Sequence, residues 1–165
     1  MRFAGALLAG APLFLWAAAK AESYRKKETL LLSFAALFRS LRETASWIRS
    51  DLPALLRECA PADMDFPKTV LSAYDTCGDL RQAWRGAVET DDGCALLADT
   101  QRCALLGFVS VIEAPDLPIL TERCAMLAEA FASYADAASA ERREKCRYLL
   151  SLGAMGTALV VILLV

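Results

Sequence analysis

The chain has 165 residues, 56% of them hydrophobic, with 18 Lys and Arg against 20 Asp and Glu and a formal net charge of −2. That length suits one domain with appendages, leaving about 130 residues between two apolar ends for a modest core. The acidic balance disfavours a nucleic-acid partner, and the absence of histidine removes the commonest general base, the commonest metal ligand and every Ser-His or Cys-His nucleophile.

Residues 3–19, FAGALLAGAPLFLWAAA, carry no ionisable side chain. A helix of that length rises about 25 Å, at the short end of the ~17–25 residues a membrane span requires. The stretch also has the pattern of a secretory signal, with Arg2 at its start and a small-residue exit at Ala17-Ala18-Ala19 or Ala19-Lys20-Ala21. That alternative implies an exported binding domain, stapled by disulfides among six cysteines and held by a C-terminal anchor. Charge placement favours two spans. Lys20, Arg25, Lys26 and Lys27 follow the first run, and Arg142, Arg143, Lys145 and Arg147 precede the last one. Basic flanks prefer the cytoplasmic side, and only Arg2 and the α-amino group oppose these eight. The expected topology is N-out, domain in, C-out.

The lead-in AKAESYRKKE has no helix breaker. Beyond it, Leu30, Phe34, Leu37, Leu41, Thr44 and Ile48 step by four and three, the stripe of a helix packed along a partner. Ser50 is positioned to cap a short helix through DLPALLREC, with Pro53 in its tolerant first turn; Pro61 ends it. A helix fits FPKTVLSAYDTC and is closed by Gly78. GDLRQAWRGAVE forms the next, with Trp84 and Val88 on one face. After TDDG a longer helix is expected from about Cys94 to Ile112, stopped by EAPDLP. Asp116 then caps the last helix. Its stripe is Leu117, Leu120, Cys124, Leu127, Phe131, Tyr134 and Ala138, and it continues through ASAERREKCRY into residues 149–165, LLSLGAMGTALVVILLV, again without an ionisable side chain. Tyr148 stands where an interfacial aromatic belongs.

The expected fold is therefore all-α: a membrane-anchored antiparallel helical bundle whose two long helices are continuous with N- and C-terminal transmembrane helices. The division is 1–19 as the first transmembrane helix, 20–148 as a cytosolic helical domain, and 149–165 as the second transmembrane helix. Within the spans, small residues recur at four-residue spacing: Gly5 with Ala9, Ala6 with Gly10, Gly153 with Thr157. Such pairs allow close helix approach in lipid.

No two of Cys59, Cys77, Cys94, Cys103, Cys124 and Cys146 are closer than nine positions. That spacing gives a zinc site no support, and in a reducing compartment the simplest reading is small, buried apolar residues. Stretches of the GxxxxGK[ST] or GxGxxG type are absent. Asp91 and Asp92 lie in a Gly-containing turn, where burial is not expected to raise a carboxyl pKa. We expect no enzymatic activity, cofactor, metal or small-molecule substrate. Residues 28–140 hold 17 acids and 9 Lys and Arg. Asp63, Asp65, Glu89, Asp91, Asp92, Glu113 and Asp116 fall in the connecting turns. They are read either as solvated helix starts or as an acidic surface that steers a basic partner.

The closing YLLSLGAMGTALVVILLV resembles the stage III sporulation protein AB family, whose members commonly show arginine-tyrosine, a short SLG and an aliphatic tail. The counterparts are Arg147-Tyr148, Ser151-Leu152-Gly153 and the run to Val165. WIRSDLPALLREC is similar to the family's proline-bearing turn into a short helix, and Trp84 in QAWRGAV looks like a family position. The resemblance covers the whole chain in order and length. It implies a mother-cell membrane complex thought to form a channel or secretion-like apparatus toward the forespore. It also implies a helical domain compared with the platform proteins of type II secretion and type IV pilus systems. The implied partners are the lipid bilayer, a cytosolic secretion-type ATPase and other membrane proteins of the complex, with the helical domain on the mother-cell side.

Overall fold

The computed structural model describes the backbone of residues 2–47, 51–61, 64–113 and 116–164; side chains are described for 19–45, 51–61, 64–112, 116–148, 151 and 155. Every element in it is helical, in the order α1 (Arg2–Trp47), α2 (Leu52–Cys59), α3 (Phe66–Cys77), α4 (Leu80–Thr90), α5 (Asp92–Ala95), α6 (Asp99–Gly107), α7 (Val109–Glu113) and α8 (Leu117–Leu164). The first and last helices run 46 and 48 residues. Each continues through its basic lead-in into a charge-free run, because no Gly or Pro interrupts the junctions at 20–29 or 138–148. Among the described residues no helix is long and apolar enough to cross a membrane. The side chains of residues 3–18, and most of those in 149–165, lie outside the described set, and the expected spans lie with them.

Contacts divide the chain into two units, Thr29–Ala135 and Met1–Glu28 with Asp136–Val165. The larger unit is organised by six aromatic side chains, each at most 1% exposed. Phe34 meets Phe66 at 5.2 Å and Phe131 at 5.2 Å between ring centroids. Phe38 meets Phe108 at 5.3 Å and Phe131 at 5.8 Å. Trp84 closes the circuit, 5.0 Å from Phe66 and 5.1 Å from Phe108. Each ring thus touches two others, and each such pair adds about 0.5–1.5 kcal/mol beyond its burial. The indole Nε1–H of Trp84 donates to the Leu105 carbonyl at 2.9 Å, so the polar atom of the largest core side chain is satisfied in place.

Both expected stripes are present in part, the one on α1 wider and the one on α8 shifted. On α1, Leu31, Phe34, Ala35, Leu37, Phe38, Leu41 and Ala45 are buried, whereas Leu30 and Thr44 are only partly so and Ile48 lies outside the described residues. Several helices cover α1, reaching Phe34 and Phe38 from α3, α8 and the α6–α7 junction, so the buried arc exceeds a two-helix seam. On α8 the buried set is Leu120, Cys124, Ala128, Phe131, Ala135 and Ala138; Leu117 is 40% exposed, and Leu127 and Tyr134 are half-buried.

Helix ends follow local chemistry. Gly78 closes α3 at φ 70°, the left-handed conformation that suits a residue without Cβ. The N-cap of α2 is Asp51, whose side chain makes no capping hydrogen bond; Ser50, expected there, lies outside the described residues. The single helix expected from Cys94 to Ile112 is instead three pieces, α5, α6 and α7. Asp91 accepts from the Cys94 N–H at 3.1 Å, and Gln101 Oε1 accepts from the Ala98 N–H at 2.9 Å. Asp91 opens α5, and the Gln101 bond opens α6 where continuous helix would otherwise run. The breaks let Cys94, Leu97, Leu105 and Phe108 all reach the interior.

Candidate docking surface and basic lead-ins

The acidic residues singled out from the sequence do not form one patch. Glu89, Asp91 and Asp92 are brought together by the end of α4 and the start of α5. Glu89 and Asp92 are exposed. Asp91 is half-buried and committed to the Cys94 N–H, so its carboxylate is less available to a partner. Asp65 begins α3 and lies 2.9 Å from Lys68 Nζ. Asp116 is exposed and its carbonyl accepts from the Leu120 N–H at 2.9 Å, the backbone bond that opens α8. Asp63 lies outside the described residues, as does the side chain of Glu113 at the end of α7. Gly5, Ala9, Gly10, Gly153 and Thr157 fall within α1 and α8, with side chains outside the described set.

A groove not foreseen from the sequence opens where α2 starts and α3 ends, with a volume of about 1070 Å³. Its walls include Pro53, Tyr74, Leu80, Val111 and Leu117. Arg57 and Asp75 pair nearby at 2.7 Å, as do Arg81 and Asp79 at 3.3 Å. Asp79 caps α4, accepting from the Arg81 N–H at 2.9 Å; that bond, with the Arg81 side chain, holds its carboxyl below the usual range. Gly78 was readable as the close of α3; Asp51 and Asp79 as helix starts, and the convergence of these ends, were not.

The smaller unit carries the basic lead-ins. Arg142 Nε lies 3.0 Å from Glu28 Oε2. Lys145 pairs with Glu141 and stands 5.1 Å over the Tyr24 ring, a cation–π distance. The Lys145 hydrogen bond lowers the Glu141 pKa, and Glu141, then Tyr24, raise that of Lys145.

The six cysteines are free, which gives the disulfide-stapled alternative no support. Reading them all as buried apolar residues is corrected: Cys94 and Cys124 are buried, Cys59 and Cys146 partly so, and Cys77 and Cys103 exposed. Burial pushes both interior thiols up to about 12; for Cys94 the Asp91 carboxylate adds to it, for Cys124 the neighbouring Cys59 does. Among the described residues no group of three or more His, Cys, Asp or Glu is placed to hold a metal ion.

These features define an all-helical protein with an aromatic core, exposed acidic turns and basic helical lead-ins. The chain belongs to the family described as Stage III sporulation protein AB (spore_III_AB), which matches residues 2–165. Neither the curated proteins nor the solved structures gave a match. Membership implies a role in stage III of sporulation and suggests a protein-complex setting.

Proposed function

We propose that the protein is a non-enzymatic membrane-platform component of a channel or secretion-like complex between mother cell and forespore. Its helical domain faces the mother-cell cytosol and docks a secretion-type ATPase. The observation that supports this reading is the continuity of α1 and α8 with the two charge-free runs, read as two membrane anchors on a helical body. Contact order supports antiparallel packing: Tyr24 meets Lys145 and Glu28 meets Arg142, so the partner number falls as the first rises. The lack of histidine is consistent with a scaffold.

Docking is assigned to the Glu89–Asp92 turn, whose exposed carboxylates suit a basic patch. In co-purification with the ATPase, E89K/D92K should weaken recruitment while leaving helix content intact; Asp91 is kept because it caps α5. Unchanged recruitment would move the interface elsewhere on the domain.

A further inference from the structure

We propose that the basic lead-ins form a collar that binds anionic phospholipid headgroups; this rests on the two-span reading above. Glu28 is occupied by Arg142 and Glu141 by Lys145, so two of the four acids in segments 20–28 and 141–148 are neutralised within the helix pair. Lys20, Arg25, Lys26, Arg143 and Arg147 are exposed and make no ion pair among the described residues. Only Glu22 and Glu144 are exposed acids beside them. The pairing therefore uses up two of the acids and leaves an excess of exposed positive charge.

The depth of this charge also fits. The contacts of Tyr24 with Lys145 and of Glu28 with Arg142 put residues 24–28 level with 142–145. Lys20 and Arg147 lie nearer the charge-free runs. From Arg25 to Lys20 is about 8 Å of helix, close to the ~5–8 Å headgroup layer on one side of a bilayer. Tyr148, 62% exposed, adds an interfacial aromatic at the same end. Arginine offers planar, bidentate donors to a phosphodiester. Each basic residue close to an anionic surface favours association about fivefold.

The test uses the full chain reconstituted in vesicles of mixed phosphatidylcholine and phosphatidylglycerol. Spin-labelled forms of each lipid report their relative association with the protein. We expect phosphatidylglycerol to be favoured about fivefold or more, R25Q/K26Q/R143Q/R147Q to bring the ratio toward one, and R25K/R143K/R147K to keep it. Rising salt should erode the preference of the unmodified protein, which decides the matter even should the glutamine variant fail to fold. A ratio near one, or a preference indifferent to both salt and the glutamine substitutions, would overturn the collar. So would its loss to inorganic phosphate at matched ionic strength, since the site would then be one for free phosphate. Alkaline carbonate extraction separates the two readings. A chain washed from the vesicles refutes the spans, whereas a retained chain without lipid preference refutes only the collar.

Discussion

A β-carbon at Gly93 would stand 2.8 Å from Asp91 Oδ2 and 3.3 Å from Leu30 Cδ1, so a side chain there would push the Asp91 carboxylate off the Cys94 N–H that it caps. G93A should lower stability by about 1–3 kcal/mol, read as a fall in Tm. G86A is the control: a side chain there meets nothing within 4 Å, and inside a helix it should be neutral or stabilise by about 0.5–1 kcal/mol. W84F would take the indole donor from the Leu105 carbonyl, which keeps the Phe108 N–H, at about 0.5–1.5 kcal/mol for the lost bond. Cysteine accessibility gives another test. Cys77 and Cys103 should react quickly with a maleimide in the folded protein, and Cys94 and Cys124 only after denaturation. Since the buried thiols have raised pKa values, the unfolded chain ionises first as pH climbs. Stability should be unaffected by them below about pH 9, then fall by up to about 1.4 kcal/mol per pH unit for each, until the folded thiols titrate near 12.

Short elements are held at their ends, and there the sequence was most informative where one residue decides. Gly78 marked the end of α3 correctly because a residue without Cβ takes the left-handed conformation at little cost. D79A should lower Tm by uncapping α4. The carboxyl pKa is depressed in the fold, so the stabilisation is present above the usual carboxylate range and lost as pH falls through the folded value. The difference between D79A and the unmodified protein should therefore shrink in acid. Segment 94–112 was not legible. The break before α6 coincides with Gln101 reaching the Ala98 N–H, a competition between side chain and helix that apolar periodicity does not register. The same limit applied to the acidic turn: its position at 89–92 could be read, but not that Asp91 spends its carboxylate on Cys94. Nor could a linear pattern reveal that Phe66 and Phe108 complete the aromatic circuit, since each has only tertiary neighbours to declare it.

At the scale of the molecule, the first and last helices supply both the core and the proposed anchors. A membrane-impermeant maleimide applied to intact cells should leave Cys77 and Cys103 unlabelled until permeabilisation; labelling without it would put the helical unit outside, and the ATPase partnership would fall with the topology. Pairing of Glu28 with Arg142 spans 114 positions of sequence, a register that no local pattern carries. Phe131 stacks on both Phe34 and Phe38, and F131A should cost about 3–5 kcal/mol. That stacking also sets a schedule for synthesis. Phe131 follows Phe34 by 97 residues, and at ~5–20 residues per second the ribosome needs about 5–20 s to make them. For that interval the apolar face of α1 has no α8 to cover it, and the nascent chain must be shielded by a chaperone or by its own transient contacts until the last helix emerges.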